Sequence, residues 1–140
     1  MRVMIPCGNK KQHSACQAQY MYTGSYFKAC LVWALSVAQS EDIYILSGKY
    51  GLIPIDMIID PYEQKILVDK QTILKVKQQA QKYDIIDKPI ILIGGKLYVS
   101  VGKQVFHNSF APLVGLKGIG YHMQWLKRHR GQLPNCEETT

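Results

Sequence analysis

No acidic residue occurs in the first forty positions of the chain, and none occurs between residues 88 and 136. Apart from Glu137 and Glu138, every Asp and Glu lies in 41–87, while Lys and Arg run through the whole length. Two acid-free basic blocks around a mixed middle suit a polyanionic partner, nucleic acid or a nucleotide. A solvated basic surface is the plainer alternative. Long apolar runs are missing as well: none approaches the roughly 18 residues that span a bilayer, so no membrane partner is expected. Met1–Ile5 meets Pro6-Cys7-Gly8 too early for a secretory signal, and the cytoplasm is the expected location. Cysteine is sparse. Cys7, Cys16, Cys30 and Cys136 contain no Cys-x-x-Cys pair, and a reducing cytosol disfavours disulfides. Cys7, His13 and Cys16 lack a fourth zinc ligand at regular spacing, so free thiols, no metal and no cofactor are expected. His13, His107, His122 and His129 are scattered, and none joins a Ser-His-acid or Cys-His order.

What is present reads as one domain over residues 1–140, with the last ten or so residues a flexible tail. Hydrophobic residues at 47% and charged residues at 19% are the balance of a folded domain, not of a disordered chain. Val3-Met4-Ile5 reads as a buried strand ended by Pro6. Phe27, Cys30, Leu31, Ala34, Leu35 and Ala38 mark one helix face, with Thr23 or Ser25 as its cap. Ile43–Leu46 is a second strand stopped at Ser47-Gly48, and Lys49–Tyr62 is loop-like because Gly51, Pro54 and Pro61 break it. Ile73, Val76, Ala80 and Tyr83 predict a second helix. The unalternated run Ile90–Ile93 predicts a strand covered on both faces, ended by Gly94-Gly95. A helix from Lys96 to about Val105, a short strand near Phe106 and a last helix from Ile119 to about His129 complete the chain. In that last helix Ile119, Met123 and Leu126 share one side. This alternation predicts an α/β fold, a three-layer sandwich with a mostly parallel sheet of about four strands flanked by helices.

Ligands of such sheets sit outside the strand carboxyl ends. The loops there are Pro6–Gln19, Ser47–Tyr62 and Gly94-Gly95, where the polar, glycine and aromatic residues gather. In the first, Gly8 permits close backbone approach, and Lys10 and Lys11 can hold a phosphate, although no Walker pattern is present. A tight turn with solvated lysines explains the same residues. Cys7 reads as a structural thiol that could also line the site. Tyr22, Thr23 and Gly24 precede a helix whose free N–H groups favour an anion, and Tyr22 can stack on a base or wedge the helix start. In the second loop Ser47, Lys49, Asp60 and Tyr62 surround a strand end. Lys49 can bind phosphate or act as an amine nucleophile, and Asp60 can stabilise positive charge, although Asp before Pro is also ordinary turn chemistry. Lys127, Arg128 and Arg130 suit a helix C-terminus and also extend the basic surface.

Five ordered motifs carry a family resemblance over nearly the whole chain. They are Pro6-Cys7-Gly8-x-Lys10-Lys11, Tyr22-Thr23-Gly24-x-x-Phe27, Ile45–Leu52, Ile59-x-Pro61-Tyr62 and the segment from Pro112 to Leu126. The chain resembles a family of small bacterial and phage domains of unassigned activity. In that pattern histidine usually follows the residue matched by Lys49, where this chain has Tyr50. More distantly, the opening strand and its Cys-Gly and Lys residues resemble the YaaA peroxide-stress proteins and the core of archaeosine synthase. Those relatives imply nucleic acid or modified bases as the substrate class. The expectation is then a base-processing enzyme that cleaves or modifies the glycosidic bond of a modified base in DNA or RNA. Its catalytic residues would be Asp60, Lys49 and Ser47, with Cys7, Gly8, Lys10, Lys11, Tyr22, Thr23, Gly24 and Tyr62 binding substrate. The alternative is a nucleotide- or nucleic-acid-binding module without catalysis.

Overall fold

A computed structural model describes residues 1–134. Cys136, Glu137, Glu138 and most of the expected tail lie outside the described residues. The elements are β1 (Arg2–Pro6), β2 (Cys16–Gln17), α1 (Ala18–Met21), α2 (Ser25–Val37), β3 (Ile43–Ser47), β4 (Gly51–Pro54), β5 (Ile58–Ile59), α3 (Lys70–Lys82), β6 (Ile90–Leu92), α4 (Lys96–Val105), β7 (Ser109–Phe110) and α5 (Ile119–Arg128). The fold is mixed α/β.

A five-stranded sheet in the order β4-β3-β1-β6-β7 forms the centre, parallel except for the β3–β4 pair. Its three inner strands explain the unbroken apolar runs. In β1, Val3 and Ile5 enter one core and Met4 the other. Ile43 and Ile45 of β3 oppose Tyr44 and Leu46 in the same way, and Ile91 opposes Ile90 and Leu92 in β6. With apolar side chains buried on both faces, polar residues stand only at the strand ends, Arg2 in β1 and Ser47 in β3. Helices α2 and α5 supply Phe27, Cys30, Trp33 and Leu126 to the first core, and α3 and α4 supply Val76, Ala80, Val99 and Val105 to the second.

The segment expected to be a loop from Lys49 to Tyr62 contains two strands. β3 turns tightly at Ser47-Gly48 and returns as β4, while β5 pairs antiparallel with β2. The edge strand β4 is completed from the side by α3. Gln79 Oε1 accepts the Leu52 N–H at 2.7 Å, its Nε2 donates to the Tyr50 carbonyl at 2.9 Å, and Tyr83 O–H donates to the Leu52 carbonyl. These contacts from α3 replace part of a neighbouring strand and allow Pro54 at the sheet edge.

Four smaller expectations are corrected. Gly24, not Thr23 or Ser25, is the N-cap of α2, and it makes no side-chain cap. Trp33 is fully buried on α2, where Leu35 is exposed, because Trp33 packs against Trp125 and donates its indole N–H to the His129 carbonyl. On α5, Ile119 is exposed and His122 is buried. The last short strand is Ser109–Phe110, a few residues beyond Phe106. At the chain end, the Gly131 N–H donates to Ser36 Oγ at 2.8 Å.

Candidate functional site

Outside the carboxyl ends of β1 and β3 lies a short chain of hydroxyls. Ser47, the last residue of β3, is 1% exposed and accepts the N–H groups of Lys49 (3.3 Å) and Tyr50 (3.0 Å). Its own proton goes to Tyr62 Oη at 2.7 Å, and Tyr62 is paired with Tyr22 Oη at 2.6 Å. Three hydroxyl protons serve two bonds between these groups, so one phenolic proton remains for a further acceptor. The sharp β3–β4 turn fixes the start of this chain. A Cβ at Gly48 would stand 2.2 Å from the Gln64 carbonyl oxygen, so the segment leading away from Tyr62 crosses directly over the turn.

The first loop closes over the same residues. The Cys7 N–H donates to the Leu46 carbonyl, and Gly8 sits against Tyr22 and Phe27. Lys10 and Lys11 meet the Tyr22 segment through backbone contacts: the Lys10 carbonyl accepts the Thr23 N–H, and Lys11 bridges to Tyr22. The Lys11 ammonium lies 4.6 Å from the Tyr62 ring centroid and 6.0 Å from that of Tyr22, while the Lys10 side chain is exposed. A cation over a ring face is attracted by the ring quadrupole. Cys7 is half-buried, and its Sγ is 3.2 Å from Tyr98 Oη on α4.

Lys49 and Asp60 meet at one side chain, Tyr50. The Lys49 ammonium is 5.2 Å from the Tyr50 ring centroid, and Tyr50 Oη accepts the Asp60 N–H at 3.2 Å. The Tyr50 ring in turn stands edge-on to Tyr62 at 5.6 Å. Both Lys49 and Asp60 are exposed, and the Asp60 carboxylate makes no ion pair among the described residues. A run of contacts thus leads from the buried Ser47, Tyr22 and Tyr62 through Tyr50 to the exposed Lys49 and Asp60.

Burial sets the charge state of this cluster. It raises the Tyr22 phenol to about 12 and pushes those of Tyr62 and Tyr98 up further, with the nearby Cys7 adding to the rise in each. These phenols stay neutral through ordinary pH and act as hydrogen-bond donors. Among the described residues no group of three or more His, Cys, Asp or Glu stands together as a metal site.

Tyr98 was not singled out by sequence, and Tyr50 was noted only as standing where the resembled family usually has histidine. Tyr50 sat in a segment without visible periodicity, and Tyr98 occupies one position of an ordinary amphipathic helix. His122 proved a fixed structural group. Its Nε2–H donates to the Leu116 carbonyl at 3.0 Å, and its Nδ1 pairs with Tyr26 Oη at 2.7 Å. Elsewhere, a groove of about 660 Å³ is lined by Lys127, Arg128 and Arg130 together with Ala29 and Met123. Among the described residues Lys88 is the one Lys or Arg that forms an ion pair, with Asp84.

A mixed α/β domain with a largely parallel sheet and a hydroxyl cluster at its strand carboxyl ends is the class these features define. Residues 3–128 match the model of a family of unknown function, DUF6884, and the chain belongs to that family. No curated protein and no solved structure matches the chain.

Proposed function

We propose that this protein is a nucleic-acid base-processing enzyme that cleaves or modifies the glycosidic bond of a modified base in DNA or RNA. The observation that carries the proposal is the continuity of the cluster. Lys11, Tyr22, Tyr62 and Ser47 are joined by direct contacts, and Tyr50 links them to Lys49 and Asp60. Glycosidic cleavage develops positive charge on the sugar, which a carboxylate such as Asp60 stabilises, and an amine such as Lys49 can trap the sugar carbon. The neutral phenols supply donors to the base, and Lys10 and Lys11 hold phosphate. The lysines and arginines without an acidic partner among the described residues, including those of the Lys127–Arg130 groove, supply the surface for the strand. A base inside a duplex would have to be flipped out, so single strands are the simpler substrate. In this proposal the helices on the two sheet faces form the outer layers of a three-layer domain working in the cytoplasm.

One observation favours a second reading, a binding module without catalysis. Ser47 and both phenols are engaged with one another, while the exposed Asp60 carboxylate has no side-chain partner among the described residues. The experiment that decides is product analysis on strands carrying modified bases. Abasic sites are expected from the native protein, with rates lowered about 10²–10⁴-fold in Lys49→Ala and Asp60→Asn. Both variants are expected to keep the native melting temperature, since exposed loop side chains carry little stability. Borohydride would trap a covalent adduct where Lys49 is the nucleophile. An absence of product across a broad panel of bases leaves the binding module.

A further inference from the structure

The cluster above lies between β1 and β3, but the chain reverses direction on the other side of β1. From β1 it moves outward to β3 and β4, then crosses back to β6, the opposite neighbour of β1. In open parallel sheets the crevice at such a reversal is where ligands are received. A cavity of about 400 Å³ opens beside it, beyond the carboxyl end of β6. Its walls carry the aliphatic side chains of Val99, Leu113, Val114 and Leu116 together with the His122 ring, and its polar edge carries Gly95, Lys96 and Ser100.

The construction keeps this space open. Gly94 has φ +141, and a Cβ there would press on Pro6 and Tyr98 at 3.2 Å, so glycine lets β1, the turn and α4 approach closely. At Gly95 a Cβ would meet nothing within 4 Å. The opposite wall is braced, because the His122 Nε2–H holds the Leu116 carbonyl while Tyr26 holds the other ring nitrogen. The partition between the two crevices is the Cys7–Tyr98 contact, whose phenol belongs to the residue preceding Val99 in the cavity wall.

We infer that this β6-side cavity is a second chamber, separate from the hydroxyl cluster, that receives the base of a neighbouring nucleotide, with the phosphate held at its Gly95–Lys96 edge. The inference rests on the nucleic-acid reading and adds a second base-binding place to it. At about 400 Å³ the cavity is near the lower end of the roughly 300–1,000 Å³ range of small-molecule sites. That volume suits one nucleotide and excludes a stacked duplex. A flat ring with polar edges matches aliphatic walls that also carry the Ser100 hydroxyl, and an ammonium at the mouth matches a phosphate. The same chemistry is presented by a free nucleoside monophosphate and by a nucleotide unstacked from a strand.

The test is an amide-resolved NMR titration of the full chain at low salt, using the deoxynucleoside and ribonucleoside 5′-monophosphates and, separately, a short single-stranded oligonucleotide. Saturable shifts at Gly94, Gly95 and Gly115 with either probe are expected. Monophosphates sufficing identifies a free nucleotide, and a response to the strand alone identifies an unstacked one. Gly95→Leu and Ser100→Leu, checked for native melting, are expected to weaken that binding on the order of tenfold by filling the chamber. The titration of the native chain stands even where a variant fails to fold. Binding whose shifts fall on Lys11, Tyr22 and Tyr62 and leave the three glycines unmoved overturns the chamber and keeps the nucleic-acid reading. No binding of any probe overturns both.

Discussion

The two crevices flanking the carboxyl end of β1 are built in opposite ways. On the β3 side Ser47, Tyr22 and Tyr62 fill the space and bond to one another, at 1%, 1% and 7% exposure. On the β6 side glycines and aliphatic side chains surround an open cavity of about 400 Å³. Buried hydroxyls that partner one another make a stiff polar wall, since any one left unpaired costs its full desolvation. An apolar chamber without such commitments is free to take a ligand. The contrast teaches that the most polar part of a strand edge need not be the part with room, and that a wall and a chamber can share one strand.

The same substitution at two glycines gives the largest contrast. Gly48→Ala forces a methyl into the Gln64 backbone and is expected to cost about 2–3 kcal/mol in urea unfolding. Gly95→Ala enters open space at ordinary φ and is expected to change stability by less than about 0.5 kcal/mol. Equal effects at the two positions would break the distinction between a filled and an open crevice. Next in size is Tyr62→Phe, which strips the shared partner from Ser47 and Tyr22. It is expected to cost about 1–3 kcal/mol by the same measurement. Tyr22→Phe is expected to cost less, because Tyr22 ends the chain of bonds and removes one contact instead of two.

The last expected effect is the dependence on alkaline pH. Burial raises the Tyr22 phenol to about 12 in the folded chain, against an ordinary value of 10.0. Between these values the folded state holds a proton that the unfolded state has lost, so stability falls as pH rises. The contribution is complete below about pH 10 and declines toward about pH 12. Tyr62 and Tyr98 act in the same direction. Denaturant unfolding across this window should show a fall that Tyr22→Phe makes shallower. A flat profile would contradict the buried, neutral phenol wall.

Much of the scaffold was legible because it rests on periodicity. Strands β1, β3 and β6 announced themselves as unbroken apolar runs, and α4 began and ended where its pattern and the Gly94-Gly95 stop put it. The strands β4 and β5 were invisible for a physical reason: their ladder is completed by the side chain of Gln79 and by two-residue β2, which leave no alternating pattern. Trp33 was passed over on α2 because its burial depends on α5, far along the chain, through Trp125 and the His129 carbonyl. At the site, residue type and position after a strand pointed to Ser47, Tyr22 and Tyr62. Their mutual bonding was not legible, since it spans 40 positions between Tyr22 and Tyr62. The chamber was the least visible feature, because an open space is specified by small residues and by the spacing of elements, not by any functional group.

The central claim is that this basic surface and the strand edge beside it engage a nucleic acid strand. Titration of a fluorescent single-stranded oligonucleotide at 50 and 200 mM salt tests it most directly. Contact with about four phosphates predicts a log–log salt slope near −3 and a loss of affinity of about fiftyfold between the two conditions. Binding that ignores salt, or no binding at the lower concentration, would contradict the account.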